Sequence, residues 1–142
     1  MAAEYMRYRV ARSGISHVVV DSAGTLDLAG VPASPEAVQV LREAGMDLSG
    51  HRSKGLEGSD LRTADLVIAM SYDHLEEIEH GFPEGSFRAY LLRAFEKGPD
   101  PVDGAPELDD PMGKDLPIYR RQFELIRTCV DNLVHYLKHR TL

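Results

Sequence analysis

The residues best suited to chemistry crowd into one polar stretch. Between Gly98 and Pro117 the chain carries Asp100, Asp103, Glu107, Asp109, Asp110 and Asp115 among prolines and glycines. A connection of that length and composition is commonly functional. Asp109 and Asp110 are adjacent and precede Pro111, and carboxyl groups so close raise the pKa of one if they are buried together. The only thiol is Cys129, in the run RTCVDN, with no anion-binding loop around it to hold a reactive thiolate; it reads as a partly buried helix cysteine. The six histidines are His17, His51, His74, His80, His135 and His139. His135 and His139 could share a helix face, but no thiolate or spaced third ligand accompanies them, so no metal site is expected. No GxGxxG, Walker, CxxC or HExxH pattern occurs, and no cofactor is expected. Lys138, His139 and Arg140 read as favourable charge at a helix C-terminus. Arg7, Arg9 and Arg12 read as surface residues of the first helix. Arg120 and Arg121 follow the carboxylate loop and are placed to pair with it, worth ~0–1 kcal/mol if exposed.

Several elements must position these groups. Met6, Val10 and Ala3 have helical spacing within Ala2 to Arg12, with Gly14 placed to end the helix. His17 to Asp21 is a short β-branched run that reads as a buried strand, closed by the polar turn Ser22-Ala23-Gly24-Thr25. Ser34 as cap and Pro35 at the first helical position announce a second helix, with Ala37, Val38, Val40, Leu41 and Ala44 as its apolar stripe. Gly50 to Ser59 is polar and broken by glycine, whereas Leu66 to Met70 reads as another buried strand, with Ser71 capping a helix over Tyr72 to His80. Phe87 to Phe95 fits a strand and a short helix equally. Pro117 opens the longest helix, whose stripe is Phe123, Ile126, Val130, Leu133, Val134 and Leu137.

A length of 142 residues with 43% hydrophobic content supports one core, and one domain over residues 1–142 is expected. Lys+Arg 16 against Asp+Glu 23 gives a net charge of -7, which argues against nucleic acid or an anionic membrane as partner. No run approaches a membrane span and the N-terminus lacks the layout of an export signal, so a cytoplasmic location is expected. One cysteine excludes an internal disulfide. The alternation of strands and helices predicts an α/β class, a small sheet packed by helices.

Five phrases stand in order: SAGT at Ser22 to Thr25, GxPxSPEA at Gly30 to Ala37, GxDLSGHRSxxL at Gly45 to Leu56, ADLVIAM at Ala64 to Met70, and LDDPMG at Leu108 to Gly113. Together they resemble the low molecular weight protein tyrosine phosphatases, with thioredoxin-linked arsenate reductases as cousins. The resemblance implies a small four-stranded parallel sheet in a three-layer α/β/α fold. It implies hydrolysis of phosphotyrosine or another aryl phosphate monoester through a cysteinyl-phosphate intermediate. It makes Asp110 the general acid and base, Asp109 a neighbour that tunes it, and Met112 the replacement for an aromatic that usually lines the substrate ring. Ser22, Thr25, His51, Arg52 and Ser53 become supports for the phosphate-binding loop.

That loop, C-x5-R-[ST]-P, lies in the family between the first strand and the first helix, and is followed by Met-Ala-Glu. Met1-Ala2-Ala3-Glu4 matches that point. The resemblance therefore implies an N-terminally truncated domain, missing its first, central strand, the nucleophile and the clamping arginine, and inactive as it stands. His17 to Asp21 and Leu66 to Met70 would keep unpaired edges, so self-association is expected. The intact family member would take a phosphotyrosine-containing protein or a small aryl phosphate. The alternatives are a non-catalytic binding or regulatory homologue and, less well supported because it needs further redox thiols, an arsenate reductase relative.

Overall fold

Tyr5, Met6 and Val10 bury one face of α1 (Ala2–Ser13), and Gly14 ends it in the left-handed conformation, φ 77°, that a glycine adopts without strain. α2 (Pro35–Glu43) begins as its sequence dictates, with the Ser34 hydroxyl accepting from the Ala37 amide and proline in the first turn. α3 (Gly58–Thr63) is a short helix that begins at the end of the polar stretch Gly50 to Ser59 and runs past it; the Glu57 amide donates to Asp60 at its start. β1 (Leu66–Ala69) follows, then α4 (Tyr72–Gly81), capped by Ser71, and β2 (Arg88–Leu91). A single 3-10 turn, Leu92–Phe95, follows β2 directly, so the ambiguous run Phe87 to Phe95 is strand first and helix second. α5 (Leu116–His139) closes the fold. The computed structural model describes residues 1–26, 28–83 and 87–140.

The sheet is smaller than expected. Among the described residues β1 and β2 form a two-stranded parallel pair, with Leu66 opposite Arg88 and Ala69 opposite Leu91. The expected strand at His17 to Asp21 does not form: the segment has no ladder partner, and Val19 stands 93% exposed. Val18 and Val20 do pack on the core, and the Val20 carbonyl accepts from Arg7 Nε at 3.2 Å. A β-branched run alternates its side chains correctly, but without a neighbouring strand its amides have no ladder to join. For the same reason Leu66, Val67 and Ile68 are only half-buried, where a central strand would be buried on both faces.

α5 carries most of the core. Its 24 residues present Tyr119, Phe123, Ile126, Cys129, Val130, Leu133, Val134, Tyr136 and Leu137 to the interior. Phe123 meets Tyr5 of α1 edge to face at 5.6 Å, and Tyr136 meets Phe95 likewise at 5.5 Å. Each such fully buried apolar side chain stabilises by about 1.5–3 kcal/mol. α5 thus packs against α1, α2 and the 3-10 turn, which together with the sheet makes a helix-flanked α/β fold.

Candidate functional site

The carboxylate loop is fastened to the end of β1. The Leu108 amide donates to the carbonyl of Met70, the residue just after the strand, at 2.9 Å. Tyr72, in the first turn of α4, holds the same loop twice. Its amide donates to Glu107 Oε1 at 2.7 Å, and its hydroxyl donates to the Ala105 carbonyl at 2.8 Å. Arg93 Nη1 adds a bond to the Glu107 carbonyl at 2.9 Å. Nothing in the spacing of the sequence marks Tyr72 or Arg93 as partners of a loop more than ten residues further along. Only the aromatic after the Ser71 cap was a visible cue.

Asp110 lies in the turn so fastened. Its carboxylate accepts the Met112 amide at 2.9 Å, and a second amide bond, Lys114 to the Pro111 carbonyl at 2.9 Å, closes the turn around Gly113. Asp109 and Asp110 are both exposed, so the adjacent pair is not buried together. They border a cleft of about 500 Å³ whose other walls are Lys114, Ile118, Arg121, Gln122 and Leu125. Gln122, another wall residue, keeps its Oε1 buried without a hydrogen-bond partner among the described residues. A carboxyl group on a turn facing such a cleft can pass a proton to a bound group, with Lys114 and Arg121 supplying positive charge beside it. Arg120, expected to pair with this loop, instead turns away to Glu43 at 2.8 Å. Met112 is 68% exposed and stands out from the turn rather than against a ring site.

The residues expected to support a phosphate-binding loop gather elsewhere, where two loops cross. Gly24 and Gly55 form a parallel bridge, with the Gly24 amide on the Lys54 carbonyl and the Leu56 amide on the Gly24 carbonyl, both at 2.9 Å. This seats the Ser22 to Thr25 turn against the loop of Ser53. The Ser53 hydroxyl donates to the Leu28 carbonyl and accepts the Val31 amide at 2.9 Å, so its side chain is fully used in binding one loop to the other. Ser22 and Thr25 are half-buried at this crossing. Arg52 bonds back to the carbonyls of Ser49 and His51. Lys54 Nζ bridges Asp21 Oδ2 at 2.6 Å and Asp60 Oδ1 at 3.0 Å. The Lys54 ammonium holds Asp21 below the usual carboxylate range, helped by the Ser22 amide.

His51 faces the start of α1. Burial pushes its pKa down, and the Met1 amino group and Arg7 push the same way. Burial also lowers the pKa of the Met1 amine. A helix N-terminus with a nearby ammonium and guanidinium is a favourable place for an anion, although Arg7 Nη1 is already paired with Glu4 Oε2 at 3.0 Å. Cys129 is remote from this chemistry in kind: it is fully buried, and burial followed by the Glu96 charge pushes its thiol up to about 11.

Comparison with known proteins gives the family to which the chain is similar. The family described as low molecular weight phosphotyrosine protein phosphatase matches residues 1–141. A probable low molecular weight protein-tyrosine-phosphatase, EpsP of Ralstonia nicotianae, is 32% identical over 126 residues, covering 89% of this chain and 81% of its own. A protein-arginine-phosphatase of Geobacillus stearothermophilus is 33% identical over 121 residues, covering 85% and 78%. The solved low molecular weight protein tyrosine phosphatase of T. tengcongensis superposes with TM-score 0.84 at 32% identity, covering 96% of this chain and 88% of that one.

Proposed function

The chain belongs to the low molecular weight phosphotyrosine protein phosphatase family, and from that premise we propose that it forms the body of a phosphatase for phosphotyrosine-containing proteins or small aryl phosphates. One observation carries the reading: the Asp110-Pro111 turn, fastened to the end of β1 through Leu108 and Met70 and opening on a cleft. In that role Asp110 hands its proton to the leaving phenolate oxygen. As a carboxylate it then takes a proton from the water that attacks the phosphorylated nucleophile. Ser22, Thr25, His51, Arg52 and Ser53 brace the loops behind the phosphate, and Asp109 adds negative charge next to the acid.

The nucleophile is the part these 142 residues do not contain. Cys129, buried with its thiol held up at about 11, is sealed from substrate and protonated at neutral pH. The polypeptide by itself is therefore inactive, and the cysteinyl-phosphate step needs a C-x5-R-[ST]-P segment joined to it. Relatives named for phosphotyrosine and for phosphoarginine both match. The aryl substrate is favoured here by the apolar Ile118 and Leu125 wall of the cleft.

The test is hydrolysis of an aryl phosphate by the chain alone, and by the chain extended at Met1 with a strand and that loop. Turnover only in the extended protein, reduced by Asp110→Asn, supports the reading; turnover by the chain alone that Cys129→Ala abolishes would overturn it. The non-catalytic alternative rests on the same sealed Cys129, and it predicts phosphotyrosine peptide binding with no turnover even after extension. Self-association belongs to either reading. Val19, Leu26, Leu28 and Val31 are exposed apolar side chains around the unpaired His17 to Asp21 segment, and light scattering that finds only monomer across the micromolar range excludes it.

A further inference from the structure

α1 and α5 leave a second cleft, of about 190 Å³, between their C-terminal halves. It shares no residue with the cleft of Asp110. Its floor is Val134, and its walls carry Arg9, Arg12, Asp131, His135 and Lys138. The sequence shows these cations as two unrelated surface groups, one near each end of the chain. Packing of the two helices makes them one lining, in a protein whose net charge is -7.

The hydrogen-bond accounting of this lining leaves donors in excess. Asp131 is its only carboxylate, and one oxygen, Oδ1, already accepts the Tyr5 hydroxyl at 2.9 Å and faces Arg9 Nε at 2.8 Å. Arg9 keeps Nη1 and Nη2 without partners among the described residues. Arg12 sits over the Tyr8 ring, 3.8 Å from its centre, and spends one nitrogen on a long 3.5 Å bond to the Tyr8 carbonyl. Lys138 has no ion-pair or hydrogen-bond partner among the described residues. His135 only tilts against His139, with ring centres 4.4 Å apart. Three permanent cations thus surround one committed carboxylate. The helix ends add about half a negative charge each, which three full charges outweigh.

We propose that this cleft binds a small phosphate-type oxyanion. Two guanidinium groups, one paired by charge with Asp131 and one seated over the Tyr8 ring, suit a tetrahedral, multiply charged group that accepts several bonds at once. The cavity is concave and small, whereas a nucleic-acid backbone or a lipid surface needs an extended basic face that a chain of net charge -7 opposes.

The probe is inorganic pyrophosphate, with inorganic phosphate beside it, titrated into the 142-residue chain and followed by amide NMR and calorimetry. Saturable shifts should centre on Arg9, Arg12, Val134, His135 and Lys138 and weaken with added salt. Arg12→Gln with Lys138→Gln, changes at surface positions outside the core, should lower the affinity by about tenfold or more while the thermal midpoint stays put. Arg12→Lys with Lys138→Arg, which keeps the charge, should retain most of the binding. Absence of saturable shifts, shifts centred on α1's N-terminus or on Asp110, or affinity unchanged in the glutamine variant would each overturn the proposal.

Discussion

Arg120 grips Glu43 with two nitrogens, Nε to Oε2 at 3.0 Å and Nη2 to Oε1 at 2.8 Å, and so ties the last residue of α2 to the start of α5. Gln39 adds a third bond to the same carboxylate at 3.0 Å. The guanidinium first, and the Gln39 amide second, pull the Glu43 pKa from 4.5 down to about 2. Because the folded value is depressed, the stabilising contribution is complete above 4.5 and is lost as pH falls through about 2. The pair is exposed, so its contribution is screened by salt. Carboxyl NMR should show Glu43 titrating near 2, and Arg120→Ala should return it most of the way to 4.5, with Gln39→Ala moving it less. An unchanged midpoint in Arg120→Ala would mean the two-pronged bond does not persist in solution.

The Cys129 thiol, fully buried and raised to about 11, should be almost inert toward a disulfide reagent at pH 8 in the folded protein and fully reactive in urea. Rapid labelling of the native chain is the result that would contradict its burial.

Tyr72→Phe removes one bond, from the hydroxyl to the Ala105 carbonyl at 2.8 Å, while leaving the ring. The loss should be about 0.5–1.5 kcal/mol, felt locally. Hydrogen exchange should quicken for the amides around Ala105 to Asp110 and stay constant in the core of α5. Uniform exchange across both would show that Tyr72 does not fasten the acidic loop.

In a chain extended with the cysteine loop, Asp110→Asn should cut aryl phosphate turnover by ~10²–10⁴-fold, the usual worth of a positioned proton donor. Asp109→Asn should cost far less, since that carboxylate does not take part in the Met112 turn. Equal losses for the two variants would remove Asp110 from the role of acid.

What the sequence determined by itself was local. The Ser34 and Ser71 caps, the Gly14 stop and the buried stripe of α5 all stand where residue type and spacing put them. Each depends on groups within a turn or two of one another. The order of the five phrases likewise fixed the family. The sequence could not decide what depends on surfaces meeting. His17 to Asp21 has the composition of a strand yet remains unpaired, because strand formation belongs to the partner as much as to the segment. The short α3 straddles the end of the polar run Gly50 to Ser59 and has a single apolar residue, Leu61, too little to form a stripe. Arg120 found Glu43, 77 positions away, rather than the neighbouring loop, and Tyr72 found Glu107 and Ala105. The basic cleft of Arg9, Arg12 and Lys138 exists only because α1 lies along α5. Hydrogen bonds and ion pairs form between whichever groups packing brings within about 3 Å, and that selection is made by the assembled core, not by distance along the chain.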